Sequence, residues 1–382
     1  MAEFLRKKLI RITTDSISLD VLLKGQLRFL NDHFEVVALA SDKERLIAVA
    51  KREEIREIYI KMNREISLLN DFLSLIKLIY VLKKEKPFIV HTNTPKASLL
   101  SMVAAKLCMV PNRLYSVTGL RFETVTGGKR FLLILMERIT CFCATKVIPE
   151  GEGVKKSLLI NRITSKPMYV LHNGNIRGVD MKFYARTPDI IETSVEKRKD
   201  YNGFVFCYVG RLVKDKGINE LVIAFTKLYS IHKNITLVLV GPEEKNLDPL
   251  NENTLALIAG HTGIKHVGMQ NDVRPYLAAS DAFVFPSYRE GFPNVVLEAG
   301  AMGLPSIVTD INGSNEIIIE GQNGIIIPPM DEGALFQSMK YFIEHKDDEV
   351  RFMAGNARKL IETRYEQNDV WEALLEFYKK MD

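Results

Sequence analysis

Short apolar runs alternate with longer amphipathic segments through the first half of the chain. The runs predict strands at residues 8–13, 35–40, 57–60, 88–91, 114–117, 146–148 and 168–171. Helical spacing predicts helices at residues 19–31, 68–85, 96–107 and 129–144. Because strands separated by helices usually pair in parallel, the pattern predicts an α/β fold, doubly wound, with helices on both faces of the sheet.

The alternation restarts at residue 204, after a polar and irregular stretch that begins near residue 183. Further strands are predicted at residues 204–209, 236–240, 264–267, 282–285, 306–309 and 324–327. The interruption predicts an N-terminal domain over residues 1–185, a linker over residues 186–202 and a C-terminal domain over residues 203–365. The last segment, residues 366–382, has the spacing of an amphipathic helix.

Two carboxylates with the spacing E-x7-E flank a predicted helix start in the C-terminal half. Glu290 lies in the loop and Glu298 lies about one turn inside the helix. Unsatisfied backbone N–H groups at a helix start bind anions, and carboxylates accept hydrogen bonds from sugar hydroxyls. The segment therefore predicts a nucleotide-sugar pocket, although acidic residues favoured by the helix dipole would give the same pattern. Its candidate contacts are Glu290, Gly291, Phe292, Pro293, Asn294, Val295 and Glu298.

A basic, glycine-bounded turn follows the predicted strand at residues 204–209. It contains Gly210, Arg211 and Lys216, and helical spacing continues from residue 218. A guanidinium and an ammonium group beside a helix start suit a diphosphate. The alternative is a solvated basic loop at the edge of an α/β sheet.

Together these segments resemble glycosyltransferase family 4, whose members are retaining enzymes of the GT-B fold. The motifs are G-R-L at 210–212, K-G at 216–217, L-V-G at 239–241, N-D-V-R-P-Y-L-A-A-S-D at 271–281, F-P-S-Y-R-E-G-F-P at 285–293 and N-G at 323–324. In the first half, K-P-F-I-V-H-T-N-T-P-K-A at 86–97 and G-V-D at 178–180 resemble the branch that builds capsular and other surface polysaccharides.

The resemblance implies two Rossmann-like domains facing across a cleft, with the acceptor on the first domain and the donor on the second. It implies that the helix at residues 366–382 packs back on the first domain. The implied reaction moves a sugar from a nucleotide diphosphate, with uridine as the expected base, and retains its anomeric configuration. The implied acceptor is a lipid-linked glycan at the inner face of a bacterial membrane.

The resemblance also implies roles for single residues. Arg211 and Lys216 would hold the donor diphosphate, Glu290 would contact the donor sugar near the reacting carbon, and Glu298 would accept from the ribose hydroxyls. Glu290, Arg211 and Lys216 form the expected catalytic set. The remaining donor contacts are expected from the backbone of Gly210, Gly241, Val267 and Gly268. No D-x-D motif lies near a predicted strand end, so no metal and no cofactor is expected.

Candidate acceptor contacts lie in the first half of the chain. They are Ser16, Asn93, Thr94, Lys96, Thr118 and Arg121. Ser16 could instead cap the opening helix, which is the interpretation that its position before that helix favours. Thr118 stands where many family members carry a histidine, and this departure favours one alternative, a non-catalytic nucleotide-sugar-binding subunit that activates a partner transferase. A separate alternative is a nucleotide-sugar epimerase of the same two-domain build.

Composition and the absence of certain motifs exclude several other classes of protein and indicate the cellular compartment. The 382 residues are 47% hydrophobic with a net charge of +5, too weakly basic to indicate a nucleic-acid partner. Neither a dinucleotide fingerprint nor a phosphate-loop motif occurs. The four cysteines lack a disulfide-type or zinc-type spacing, which favours the cytoplasm. The helix at 129–144 starts with basic residues and is apolar, so it is either a core helix or an interfacial one at the inner membrane.

Overall fold

A computed structural model of the chain describes residues 6–63, 67–244 and 248–381. The chain divides into two compact units. The first comprises Met1–Gly178 and Asn368–Asp382, and the second comprises Val179–Gln367. None of the helices within the described ranges is both long and apolar enough to cross a bilayer.

The first unit contains a six-stranded parallel sheet in the order β3-β2-β1-β4-β5-β6. Its strands are β1 Lys8–Ile12, β2 Glu35–Ala40, β3 Arg56–Tyr59, β4 Ile89–Thr92, β5 Asn112–Val117 and β6 Lys146–Pro149. Its helices are α1 Ser16–Val21, α2 Gln26–Asn31, α3 Lys43–Glu53, α4 Leu68–Glu85, α5 Pro95–Leu107, α6 Gly127–Cys143 and α7 Glu152–Ile160.

Side-chain alternation along the central strand divides the core of this unit into two layers. Ile10 of β1 lies opposite Val37 and Val90 in the register of its two neighbours, and all three are buried in the layer that α4, α5 and α6 cover. Leu9 points to the other layer, which α1, α2 and α3 cover. Helices thus cover both faces of the sheet, as the alternating pattern predicts.

The C-terminal helix, α16 Gln367–Lys379, belongs to the first unit from Asn368 onward. Its apolar face enters the layer around Leu9. Trp371 Nε1 donates to the Arg177 carbonyl at 3.1 Å, and Arg11 donates to the Tyr378 hydroxyl at 3.0 Å. Apolar packing and these two hydrogen bonds therefore hold this helix on the first unit.

The single opening helix predicted at residues 19–31 is wrong. The structure has α1 and α2 there, separated at Gly25, whose φ of 80° is left-handed. The backbone N–H of Gly25 donates to a Glu53 carboxylate oxygen at 3.0 Å, and a β-carbon at this position would lie 2.8 Å from Trp371. Contacts with distant residues break the helix at a position where local spacing would continue it.

The second unit contains a six-stranded parallel sheet in the order β12-β11-β10-β7-β8-β9. Its strands are β7 Phe204–Val209, β8 Ile235–Val240, β9 Ile264–Gly268, β10 Ala282–Phe285, β11 Ser306–Thr309 and β12 Gly324–Ile327. Its helices are α8 Pro188–Arg198, α9 Ile218–Ile231, α10 Glu252–Gly260, α11 Arg274–Ala278, α12 Asn294–Ala301, α13 Ser314–Ile317, α14 Glu332–Glu344 and α15 Glu349–Tyr365.

The structure places the division between the units at Gly178, not at residue 185. The segment predicted as a linker at residues 186–202 contains α8, which packs into the second unit. Ile190 is buried in its core, and Arg198 pairs with Asp281 at 2.9 Å. The helix therefore belongs to the second unit. Its many polar residues make it look like a linker in the sequence, although one face packs into the core. The strand predicted at residues 168–171 is an isolated bridge between Met168 and Val147.

A buried carboxyl group, that of Glu137, lies on the inner side of α6. The Tyr115 hydroxyl donates to Glu137 Oε2 at 2.9 Å, and burial raises the pKa of Glu137 from 4.5 to about 7. Between pH 4.5 and about 7, the folded state therefore keeps a proton on Glu137, whereas the unfolded chain has released it. Stability from this group is fully present below pH 4.5 and is lost as the pH rises through 7.

We expect Glu137→Gln to remove this pH dependence, since the amide oxygen can still accept from Tyr115 and carries no charge. At one pKa unit per 1.36 kcal/mol, the gain in unfolding free energy at pH 8 is at most about 3 kcal/mol. Thermal unfolding at pH 5 and pH 8 measures the gain. The control is Glu152→Gln, at an exposed site on α7, which should keep the wild-type pH profile. Equal profiles for Glu137→Gln and wild type would contradict the assignment.

Candidate active site

The predicted donor residues lie in loops at the carboxyl ends of the strands in the second unit. Parallel strands end at the same edge of a sheet, and ligands of α/β proteins bind at this edge. Gly210 and Arg211 follow β7, Gly241 follows β8, and Glu290 lies in the loop after β10, shortly before α12. The sheet order places β10, β7 and β8 side by side.

Close backbone packing joins the first two of these loops. Gly241 has a φ of 142°, and a β-carbon at this position would lie 1.9 Å from the Gly210 carbonyl oxygen. Gly217, which ends the basic turn, has a φ of 69°, and its β-carbon would lie 2.1 Å from the Pro286 carbonyl oxygen. Only glycine suits both positions, so the loops after β7, β8 and β10 form one surface.

The basic turn and the loop carrying Glu290 are also joined by hydrogen bonds. The backbone N–H of Tyr288 donates to the Asp215 carbonyl at 2.9 Å. The buried Ser287 hydroxyl lies 3.1 Å from Glu290 Oε1, and Thr309 donates to the Ser287 carbonyl. These bonds hold the Glu290 carboxylate close to the turn that carries Lys216.

Lys216 and Glu290 form an ion pair at the centre of this arrangement. Their side chains are 16% and 18% exposed, so solvent reaches both groups but screens them less than it screens surface charges. Burial raises the pKa of the neighbouring Tyr208, and the Glu290 charge raises it further. Its hydroxyl stays protonated and donates to the Arg211 carbonyl at 3.0 Å.

Two further ion pairs lie beside the first. Arg211 Nη1 lies 2.9 Å from Glu244 Oε2, and Arg289 Nη2 lies 2.8 Å from Asp215 Oδ2. Each cation of this group thus faces a carboxylate. A bound diphosphate can replace the carboxylates as the partner of Arg211 and Lys216, because phosphate oxygens accept the same charge-assisted hydrogen bonds.

Helix α12 begins directly after the Glu290 loop. Pro293 is its N-cap and Asn294 its first residue, while Glu298 lies slightly more than one turn inside and is 7% exposed. The Phe292 side chain is buried, with its ring 5.6 Å from that of Tyr365. Phe292 therefore anchors the loop through its side chain, and only its backbone is available for a ligand.

The remaining donor candidates lie where β8 and β9 end. The Gly241 N–H donates to the Gly268 carbonyl at 2.8 Å, and His266 Nε2 lies 2.9 Å from the Gly241 carbonyl oxygen. Val267 is half-buried next to them. The structure thus places Gly241, Val267 and Gly268 together at the edge of the sheet that carries Arg211.

The acceptor candidates of the first unit fall into two groups. Asn93, Thr94 and Thr118 lie together at the ends of β4 and β5, where Thr118 Oγ1 donates to the Asn93 carbonyl at 2.9 Å. Thr94 Oγ1 accepts from the Thr14 N–H at 2.8 Å. The Asn93 side chain is buried, and its amide has no hydrogen-bond partner among the described residues, which leaves it available to a ligand.

Ser16 and Lys96 do not join this group. The Ser16 hydroxyl donates to the Asp42 carbonyl at 2.8 Å in a fully buried position, and Asp15 caps α1 instead. Lys96 Nζ lies 2.6 Å from Asp71 Oδ1. The expectation that Ser16 contacts an acceptor therefore needs correction, because its hydroxyl is buried and already donates to the backbone. Contact of Lys96 with an acceptor stays a prediction, since an anionic ligand can replace Asp71 as its partner. Arg121 is exposed in a short 3₁₀ turn.

The sequence-based interpretation missed Ser287 and Glu244. Ser287 lies in the F-P-S-Y-R-E-G-F-P segment, three residues before Glu290, so its presence there was a usable signal. The pairing of Glu244 with Arg211 had no local signal, since 33 residues separate them. Within the described part of the chain, no group of three or more His, Cys, Asp or Glu residues has a metal-binding arrangement.

Comparisons with known proteins agree with this architecture. The family model for glycosyl transferases group 1 matches residues 189–360, and that for glycosyl transferase 4-like proteins matches residues 18–150. The capsular polysaccharide biosynthesis glycosyltransferase CapM of Staphylococcus aureus is 34% identical over 375 residues, which is 97% of each chain. The UDP-Gal:alpha-D-GlcNAc-diphosphoundecaprenol alpha-1,3-galactosyltransferase of Escherichia coli is 33% identical over 81% of this chain and 80% of that one.

Solved structures show the same fold at low sequence identity. Anabaena Alr3699/HepE, in complex with UDP, has a TM-score of 0.81 at 18% identity and covers 98% of this chain and 99% of its own. A glycosyltransferase from Rickettsia africae ESF-5 has a TM-score of 0.80 at 21% identity, over 99% of each chain. The two parallel α/β units are therefore those of a GT-B glycosyltransferase. The chain belongs to glycosyltransferase family 4.

Proposed function

We propose that this protein is a retaining glycosyltransferase that moves a hexose or N-acetylhexosamine from a uridine diphosphate donor to a lipid-linked glycan. One observation carries the proposal: the basic turn and the Glu290 loop meet at the start of α12, with Lys216 paired to Glu290. Membership of the family supports the reaction class. Relatives whose names specify UDP-Gal or a diphosphoundecaprenol-linked acceptor support the proposed donor and acceptor.

The proposed reaction takes place on one face of the donor sugar. The bond between the anomeric carbon and the diphosphate oxygen breaks, and a bond from that carbon to the acceptor hydroxyl oxygen forms. The acceptor proton passes to the leaving diphosphate oxygen. Lys216 and Arg211 stabilise the negative charge that accumulates on the leaving group, and the Glu290 carboxylate stabilises positive charge at the anomeric carbon.

The positive charges of Lys216 and Arg211 also compensate the negative charge of the donor diphosphate. We therefore propose that donor binding requires neither a divalent metal nor a cofactor. Glu298 accepts from the ribose hydroxyls, and the backbone beside Val267 contacts the base. Asn93 and Thr118 contribute to the acceptor side.

We place the reaction in the cytoplasm, with peripheral association at the inner membrane face, where a lipid-linked acceptor of capsular or surface polysaccharide synthesis is available.

A two-stage assay tests this proposal. A thermal-shift screen over nucleoside diphosphate sugars identifies the donor, because a ligand that binds only the folded state raises its stability. The chosen donor is then incubated with a polyprenyl-diphosphate-linked sugar, and NMR determines the anomeric configuration of the product. Transfer with retained configuration supports the proposal. Binding without transfer or hydrolysis would indicate a non-catalytic subunit, and release of free epimerised sugar without acceptor would indicate an epimerase.

A further inference from the structure

Helix α4 carries a row of large apolar side chains that no part of the described chain covers. Leu69, Phe72, Leu73, Ile76 and Tyr80 are all exposed. Their spacing of three, four, seven and eleven residues from the first places them on one face of the helix. The opposite face already packs into the core of the first unit. The exposed row is therefore additional to the face that folding buries.

Helix α6 has the same two-sided character. Phe131, Leu132, Leu135, Ile139 and Phe142 are exposed on its outer face. Its inner face is buried in the core. The structure thus confirms the core alternative for the inner face of this helix, and the interfacial alternative stays a prediction for its exposed outer face.

Helix α5 lies between the two and packs against both. Cys108, just after its last turn, lies 3.5 Å from the Ile79 carbonyl of α4, and Lys106 Nζ lies 3.4 Å from the centre of the Phe142 ring of α6. Leu107 and Met109 at its end are exposed. We call the outer surface of these three helices the α4–α6 face. The exposed apolar side chains thus lie on neighbouring helices, and large exposed apolar surfaces commonly mark an interaction site.

Exposed cations accompany the apolar side chains on the α4–α6 face. Lys77, Lys83 and Lys84 are exposed on α4, and Lys129 and Arg138 are exposed on α6. Long basic side chains can keep their charges in water beside a lipid headgroup while their stems contact apolar surface.

The acidic residues of the same helices do not offset these charges. Asp71 pairs with Lys96 at 2.6 Å, and Glu85 pairs with Lys8 at 2.8 Å. Glu137 is buried on the inner side of α6. The sequence of α5 contains no acidic residue. The α4–α6 face therefore presents apolar and positive groups together.

We propose that the α4–α6 face docks on the surface of an anionic lipid bilayer. Apolar side chains beside basic ones match the boundary between acyl chains and anionic headgroups. A second copy of this chain fits less well, because a two-fold interface would place the same cationic patch against itself. The helices lie in the plane of the interface, and none of them spans the bilayer.

Vesicle co-sedimentation tests this inference without donor or acceptor, so its outcome is independent of the proposed transfer reaction. We expect the purified protein to bind phosphatidylglycerol vesicles and to bind phosphatidylcholine vesicles at least about tenfold more weakly, since each lysine near an anionic surface adds attraction. Raising NaCl from about 0.1 to about 0.5 M should release most of the bound protein, because salt screens surface charge. Equal binding to both lipids, or to neither, would overturn the inference.

Matched variants locate the surface. Phe72→Ser combined with Phe131→Ser should lower phosphatidylglycerol binding at least about tenfold, since insertion of two aromatic side chains is lost. The control is Phe352→Ser on α15 of the second unit, where the side chain is 61% exposed, as at Phe72. Unchanged unfolding temperatures would confirm that all three substitutions spare the fold. Undiminished binding by the double variant would overturn the assignment.

Light scattering after size-exclusion chromatography tests whether a second copy of this chain, and not a lipid bilayer, covers the α4–α6 face. A dimer that forms at micromolar concentration in wild type and dissociates in the Phe72→Ser, Phe131→Ser variant would show that a second copy covers the face, and would overturn the lipid assignment. A monomer under both conditions, with lipid binding lost only in that variant, supports it. Transfer to a water-soluble acceptor should remain at the wild-type rate in the variant, because neither side chain belongs to the donor site.

Discussion

Replacing Lys216 with alanine is expected to lower kcat/KM for sugar transfer by about 10²–10³-fold, because a preorganised charge on the leaving group is lost. Its ammonium group lies within reach of the Glu290 carboxylate, in a half-buried site where charge interactions are stronger than in bulk water. The affinity for UDP should fall in the same variant, since the lysine holds the diphosphate before and after transfer. Initial-rate kinetics and calorimetric titration with UDP measure the two effects.

The same turn supplies the control for this experiment. Lys214 is exposed and lies two residues before Lys216, so Lys214→Ala removes an equal charge without removing the ion pair. We expect it to change kcat/KM by less than about threefold, as for an exposed charge screened by solvent. Equal losses in both variants would indicate a general effect of net charge and would contradict the specific role of Lys216.

Local sequence is sufficient to predict elements in which nearly every residue is buried. Residues 204–209 are an unbroken apolar run, and β7 spans the same residues, Phe204–Val209. Central parallel strands are buried on both faces, so every side chain gives the same signal. The turn after β7 could be predicted equally well, because it is a short segment bounded by glycines between a strand and a helix.

The failures have a common physical origin in distant contacts. The break at Gly25 depends on Glu53 and on Trp371, which are remote in sequence. The sequence pattern predicts a linker at α8 because most of its residues are polar, whereas in the structure Arg198 pairs with Asp281 in the second unit. Periodicity reports local burial alone, and it does not report which remote residue will complete a hydrogen bond.

The candidate site shows the same division. The proximity of Lys216 and Glu290 could be predicted, since both follow strands that parallel sheets place together. Which carboxylate neutralises each cation could not be predicted, because the choice depends on loop geometry. The Ser16 hydroxyl was a reasonable acceptor contact by position, yet its donation to the Asp42 carbonyl is fixed by the loop after β2.

Replacing Glu290 with glutamine is expected to lower kcat by about 10²–10³-fold with little change in donor KM. Glutamine keeps the size of the side chain and can still accept from Ser287, so the loop should keep its conformation. The missing charge matters chiefly in the transition state, where positive charge develops on the anomeric carbon. Single-turnover rates with saturating donor isolate this step from binding.

The Lys216–Glu290 ion pair predicts a second, opposite effect of this substitution. In wild type, a diphosphate must compete with the Glu290 carboxylate for Lys216. Glu290→Gln removes the competitor, so UDP should bind as tightly as to wild type or several-fold more tightly, consistent with about 1 kcal/mol for a partly exposed pair. Lys216→Ala should weaken UDP binding, so the two variants should differ in affinity while both lose turnover.

These opposite affinities separate catalysis from structural damage. A collapsed loop would weaken UDP binding in both variants, whereas the proposed roles require weakening in one alone. Glu362→Gln, at an exposed position on α15, removes one carboxylate far along the chain and should leave both kcat and UDP affinity unchanged. Weaker UDP binding by Glu290→Gln, or wild-type turnover by that variant, would contradict the assignment, because the Lys216–Glu290 pair could then not couple donor binding to stabilisation of the reacting sugar.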